Sequence, residues 1–348
     1  MADRFSEVVI ALALISATIL FALSLTLVAA RLRRDRRELR QRAARAAVTT
    51  ALQERGEPLQ AVIAAAVRHR RARGDLVVLV RDMRSAADII RANDRDGRLA
   101  AAASDDTRHR DPIRRALGAE LLARIGAASD LAAVDAVLRT DPDREARRVA
   151  ARGLARRGDA EAAWLLIGAL AAKALPEDRV LEQLGRPFAA ETLVDALHLE
   201  QLRGVHAELV AGLGLARDAI GVFAVARLLR DGDERERTKA CRALGRIGRT
   251  EVVPFLIEAL EDTAATVRAI AARALGEIGD ERCVPALGIH LTDRDWWVRA
   301  NAAESLRRCG PQGILALERA LESDDPFARD RAAEVLALHA AGQGAQAA

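Results

Sequence analysis

Tyrosine is absent from this 348-residue chain, aromatic residues make up 3% of it, and lysine occurs twice, at Lys173 and Lys239. So few aromatic platforms argue against a nucleic-acid surface built on base stacking. The three cysteines, Cys241, Cys283 and Cys309, are odd in number, form no C-x-x-C pair and have no histidine at ligand spacing. That excludes a disulfide framework and a zinc finger, and it agrees with an intracellular body. There is no H-E-x-x-H, no G-x-S-x-G, no phosphate loop and no dinucleotide fingerprint, so the common hydrolase, metalloprotease and nucleotide-binding chemistries have no sequence footing. His206 and His290 each fall at positions that read as packing or surface sites, and no catalytic residue is nominated.

What the chain has is repetition. LGRIGRTEVVPFLIEALED is followed by LGEIGDERCVPALGIHLTD, and Gly248, Gly279 and Gly310 lie 31 residues apart. Such a period, with apolar residues at helical spacing inside each unit, predicts helix pairs that stack because no unit buries its own face. Val267, Ile270, Ala271, Ala274, Leu275 and Ile278 form one continuous stripe at i, i+3, i+4, i+7, i+8 and i+11. The partner helix carries Val284, Leu287 and Leu291, with Pro285 in a first turn that has backbone donors to spare. Gly279 and Gly310 read as breaks between helices, and Gly276 and the pair Gly212 and Gly214 are read the same way. Cys241 takes the slot of Ala272 and reads as a small packing residue. Roughly seven or eight units fit between Asp111 and the C-terminus, with a degenerate one near residues 171–203.

The pattern D-x-x-V-R-x-x-A-A-x-A-L-G-x-I-G-D resembles HEAT repeats, in the short bacterial form also found in phycobilin-lyase-like proteins. The resemblance covers residues 111–342, strongly from Asp233 onward. It implies an all-α fold, a right-handed α-solenoid of HEAT-like helix pairs, and it serves scaffolds, chaperone-like lyases and a few nucleic-acid enzymes alike. In this class the arginine after the valine pairs with a junction aspartate and locks one unit to the next. Arg114, Arg147, Arg237, Arg268, Arg299 and Arg329 are therefore read as a structural ladder, with an anion-binding groove as the alternative. Asp231, Asp262 and Asp293 recur at 31-residue intervals and are read as helix caps at the junctions.

Residues 8–30 form the other informative segment, 23 positions without a charge. At about 1.5 Å per residue the run reaches about 35 Å and crosses a hydrocarbon core of about 30 Å, so one transmembrane helix is expected to precede the solenoid. A cleaved signal peptide is the rival, disfavoured by the length of the run and the non-basic MADRFSE before it. Residues 31–45 then carry eight arginines, Arg31, Arg33, Arg34, Arg36, Arg37 and Arg40 among them, against two acidic residues, net +6. Arginine excess on the C-terminal side predicts a short N-terminal tail (1–7) outside and the repeats in the cytoplasm. Recognition of anionic lipid is the second reading of that cluster. The chain carries +4 overall and −1 in its first seven residues, which leaves −1 for residues 46–348. A near-neutral body has no field to hold a phosphate backbone, so no nucleic acid is expected.

Residues 31–56 read as a basic juxtamembrane helix and 57–110 as a helical capping region with a linker. One helix is expected from about Glu57 to Arg73 and a second capped by Asp75, with a strand at Leu76–Val80 as the alternative. The polar, small stretch Asn93–Asp111 reads as the linker or an exposed loop, and 343–348 as a disordered tail. Asp295-Trp296-Trp297-Val298 departs from the pattern towards something costly. Neighbours on a helix point about 100° apart, so two tryptophans at a helix start are not both expected to be fully buried in one thin core. Inter-unit packing is one reading of Trp296 and Trp297 and comes first; the other makes one of them a partner hot spot, with Asn301 and Glu304 one and two turns on as further candidate contacts.

Together these readings give a single-pass protein of a bacterial inner membrane, a noncatalytic scaffold that recruits protein partners, a membrane enzyme being one candidate. No cofactor, metal or small-molecule substrate is expected. The alternatives are a HEAT-type lyase acting on a protein-bound cofactor, an anion- or nucleic-acid-binding solenoid, and the same protein inserted with its repeats outside.

Overall fold

Alanine, leucine and arginine at helical spacing, with few β-branched runs, give a chain whose described residues are helical throughout its ordered elements. The structure is a computed structural model that describes residues 46–54, 56–82 and 84–347, with Arg31 and Ala43 as isolated positions. The apolar run 8–30 and Arg33, Arg34, Arg36, Arg37 and Arg40 lie outside the described residues. Among the residues described, no helix is long and apolar enough to cross a membrane.

The chain divides into two compact units, one through Ala102 and one from Ala103. In the first, residues 46–54 are helical and are followed by α1 (Glu57–Arg68), α2 (Arg70–Asp82), α3 (Arg84–Asn93) and the start of α4 (Arg98–Thr107). Leu59, Ile63, Ala66, Leu76, Val77, Ala86, Ile90 and Leu99 are its buried core. Three details differ from the sequence reading. The first helix stops at Arg68 because His69 turns extended, with φ −122° and ψ 116°. Asp75 sits inside α2 rather than capping it, although Leu76–Val80 is helical as expected and not the alternative strand. The stretch read as a linker contains α4, whose Leu99 and Ala100 amides donate to Asp94 at 3.0–3.1 Å. Its alanine run supplies helix propensity without the large apolar residues that would have marked a periodic stripe.

The second unit is a row of helix pairs: α5 (Pro112–Ile125) with α6 (Leu131–Thr140), α7 (Arg144–Arg157) with α8 (Ala160–Ala171), and α9 (Glu177–Leu184) with α10 (Ala190–Ala196). There follow α11 (His206–Ala216) with α12 (Val222–Asp231), α13 (Glu234–Ile247) with α14 (Val253–Ala259), α15 (Ala265–Ile278) with α16 (Val284–Ile289), and α17 (Trp296–Arg308) with α18 (Pro311–Ala320). The final helix, α19 (Pro326–Ala347), continues through residues read as a tail, since alanine and glutamine there favour helix. Each first helix packs on the first helices before and after it, and each second helix packs on the first helix of the next repeat, as α12 does on α13 and α14 on α15, which is the stacking that defines a solenoid. The degenerate pair α9 and α10 is short because Pro176, Gly185 and Pro187 bound it.

Small residues set the distance between successive first helices. A Cβ placed on Gly214 would stand 2.6 Å from Ala243 Cα, on Gly245 3.0 Å from Ala274 Cα, and on Gly276 2.7 Å from Ser305 Cα. Gly212, Gly214 and Gly276 therefore do not terminate helices, contrary to the sequence reading; they lie inside α11 and α15, and the last two let a neighbouring backbone approach. Termination belongs to Gly158, Gly248 and Gly279, left-handed at φ of 73°, 71° and 73° behind α7, α13 and α15.

Candidate partner-binding edge

An arginine rung joins each regular repeat to the next. Arg237 Nε donates to Asp262 at 2.7 Å and Nη2 at 3.0 Å, and Arg268 makes the same fork to Asp293 at 2.8 and 2.9 Å. The remaining guanidinium nitrogen donates backwards to backbone carbonyls, Gly232 O for Arg237 and Asp262 O for Arg268. In α5 the rung is Arg115, forked to Asp141 at 2.6 and 2.9 Å. Arg114 instead reaches Asp106. Adjacent arginines made the off-by-one invisible in the sequence, because the geometry needs the side chain two helical turns below the small-residue contact.

Elsewhere the ladder changes. Arg147, Arg299 and Arg329 bond backbone oxygens of Asp141, Asp293 and Ser323. The carboxylate that Arg147 would meet is replaced around Ala172 and Lys173, and its Nε is buried without a partner. For Arg299 the slot holds Ser323, whose hydroxyl takes the Asp325 amide at 3.2 Å, as Asp293 takes that of Asp295 at 2.8 Å. Asp262 and Asp293 thus brace the turn before each first helix rather than capping it. The caps come two residues later, Asp233 for α13 and Asp295 for α17, and Asp231 is exposed.

Burial alone would push the Asp141, Asp262 and Asp293 carboxyls up, but the arginine fork and a backbone amide on each bring all three below the ordinary carboxylate value. The folded state then binds fewer protons than the unfolded one near the carboxylate range. Their stabilisation is complete above an unfolded value of about 3.9 and drains away as pH falls through the lowered native values. Helical far-UV signal is expected to stay level from pH 7 to about 5 and to fall below about 4.

This bracing positions the tryptophans. Arg268 holds Asp293, Asp293 holds the Asp295 amide, and Asp295 Oδ1 accepts from Trp297 N at 2.8 Å and Val298 N at 3.2 Å. Val298 is buried, while Trp296 is 47% and Trp297 64% exposed. The two rings meet edge to face with centroids 4.6 Å apart. In the next repeat, Asp325 caps α19 through Phe327 N at 2.8 Å, leaving Phe327 60% exposed. Arg299, lacking a carboxylate rung, lies 4.7 Å from the Phe327 centroid, and Arg331 lies 5.0 Å from that of Trp296. Aromatic faces and guanidinium groups therefore alternate along the starts of α17 and α19, a surface with large area and little rotamer freedom to lose on binding.

The other nominated residues are placed differently. Asn301 is half-buried and donates to Ala269 O at 3.1 Å, tying α17 to α15. Glu304 accepts from Arg307 at 2.6 Å and Arg308 at 2.9 Å. Phe327, Arg299 and Arg331 complete the edge and were not nominated as contacts. The signal was present, since Asp325-Pro326-Phe327 repeats Asp295-Trp296-Trp297 thirty residues on. His290 is buried between Ala286 O and Leu260 O, a tie between repeats. Burial pushes the Cys241 thiol up to about 12. Among the described residues no group of three or more His, Cys, Asp or Glu is arranged to hold a metal ion. A cleft of about 590 Å³ beside α5 and α6 is lined by Arg115 and Asp141, which occupy each other.

Residues 221–307, α12 to α17, match the family profile described as HEAT repeats. Similar solved structures include an engineered protein at 22% identity, covering 80% of this chain and 88% of that one, with a TM-score of 0.39. The complex of CpcE and CpcF of phycocyanin lyase from Nostoc sp. PCC7120 is 21% identical over 68% of this chain and 92% of that one, TM-score 0.31. A designed armadillo repeat protein is 18% identical over 58% and 97%, TM-score 0.34. No curated protein matches the sequence significantly. The solenoid assignment rests on the chain's own helix stacking and on the matched repeats.

Proposed function

We propose that this protein is a noncatalytic scaffold, held at a membrane by residues 8–30 with its repeats on the cytoplasmic side, that recruits protein partners through the edge formed by Trp296, Trp297 and Phe327. The observation that carries the reading is the exposure of two adjacent tryptophans in a chain that is 3% aromatic. Rigid aromatic side chains beside arginine are the residue types on which binding energy concentrates. The uncharged run of 23 residues and the net +6 behind it support the anchor and its orientation. Tethering confines the solenoid to the membrane surface, which raises its effective concentration towards partners there. A lyase-like or anion-binding activity has no comparable support, since the ladder arginines Arg115, Arg237 and Arg268 are taken up by carboxylates.

Cross-linking and affinity capture from membranes tests the contact. Trp297→Ala is expected to lose a specific prey by about tenfold or more, the cost of one interfacial hot spot. Phe223→Ala, removing a side chain 77% exposed on α12, should leave recovery unchanged. Equal prey recovery from both variants and the parent would remove this edge as the contact.

A further inference from the structure

The three cysteines are not equivalent. Cys241 is buried alone within α13, whereas Cys283 and Cys309, from neighbouring repeats, have their sulfurs 3.2 Å apart. Cys283 ends the short turn before α16 and Cys309 is the C-cap of α17. Both are closed to solvent, and the Cys283 thiol also donates to Asp280 O at 2.8 Å. The sulfurs need to move only roughly 1 Å to reach a disulfide bond of about 2.05 Å. Nothing in repeat packing requires two thiols at this spot, where the other turns place ordinary apolar residues such as Val252.

We propose that Cys283 and Cys309 are a site of oxidative modification, where hydrogen peroxide joins them into a disulfide that clasps two neighbouring repeats. Cys309 gives up its proton to solvent and its thiolate attacks one peroxide oxygen, the O–O bond breaking and water leaving once the other oxygen is protonated. The sulfenic acid that remains holds the oxidation. Cys283 then loses its proton, its sulfur attacks Cys309 Sγ, the S–O bond breaks and a second water leaves. Two thiols and one peroxide become one disulfide and two waters. The order of attack follows from the pair itself: the Cys283 proton is held by Asp280 O, and the neighbouring Cys309 sulfur and burial push that thiol up while Cys309 lies lower, so Cys309 ionises first. Access comes when the C-terminal repeats open, since end units of a solenoid have fewer neighbours. The clasp fixes α16 against α17, the helix that presents Trp296 and Trp297 from its other end.

The test uses the purified full chain, treated with hydrogen peroxide, then unfolded, alkylated and mapped without reduction. Reactive thiols are expected to fall from three to one, with one linked peptide pair carrying Cys283 and Cys309, Cys241 still a thiol, and full reversal by dithiothreitol. Cys309→Ala should give no intrachain link. Retention of all three thiols while glutathione in the same tube is oxidised would overturn the proposal, as would a link that includes Cys241. The parent chain alone decides the matter if the variant does not fold.

Discussion

Replacing Asp293 by alanine is expected to loosen the solenoid between α15 and α17 by about 3 kcal/mol, the cost of stranding one member of a buried ion pair. The side chains of Arg268 and Asp293 are 7% and 9% exposed, so water cannot take over the fork that is lost. The carboxylate also accepts the Asp295 amide, and its removal frees the turn that sets the cap of α17. Hydrogen exchange suits a repeat protein, whose units need not unfold together. Amides of residues 265–308 should exchange roughly 100-fold faster, while those of α5 to α7 stay near the parent rate. Pairing Arg268→Met with Asp293→Leu should recover much of the loss, because an apolar pair of similar volume strands no charge. Arg299→Ala, at a rung without a carboxylate, should cost about 1 kcal/mol, mainly from its bond to Asp293 O and its contact with Phe327. Equal costs at Arg268 and Arg299 would contradict the ladder as described.

The second large effect is a difference of sign between two glycines of one repeat. Gly276→Ala places a methyl 2.7 Å from Ser305 Cα, a backbone that cannot yield without separating α15 from α17. Overpacking of that kind costs about 1–3 kcal/mol, more than the gain of about 1 kcal/mol from alanine's helix propensity. Gly288, in α16, has nothing within 4 Å of the equivalent methyl. There the same substitution should stabilise by about 0.5–1 kcal/mol. Thermal unfolding of the two variants beside the parent reads this directly: the midpoint should fall for Gly276→Ala and rise for Gly288→Ala. A rise for both would mean that α15 and α17 are not held together by backbone approach.

The helix pairs were legible because each repeat must place small and apolar residues at the same few slots, so a 31-residue period survives in Val267, Val298 and their neighbours. Less was legible where one residue type serves two physical purposes. Gly276 and Gly279 look alike in sequence, yet one admits a neighbouring helix and the other adopts a left-handed turn. Arg114 and Arg115 are adjacent, and only the position of Asp141 across the repeat boundary separates the rung from the local pair that Arg114 makes with the buried Asp106. At the edge, scarcity exposed Trp296 and Trp297. Phe327 was hidden because alignment on the Val-Arg slot ignores the exposed position just before it. Asn301 shows the converse: its spacing put it near the tryptophans, but a carbonyl of the preceding repeat claims its amide. Cys283 and Cys309 are 26 residues apart, a spacing that becomes a contact only when repeats stack.

Fractionation of cells expressing the full chain, beside a version lacking residues 8–30, tests the tethered-scaffold reading most directly. The full chain should sediment with membranes, resist a carbonate wash and enter solution only with detergent, its repeats shielded from protease added outside the cell. The shortened chain should appear in the soluble fraction. Recovery of the full chain in solution after lysis without detergent, or cleavage of its repeats by external protease, would contradict the account.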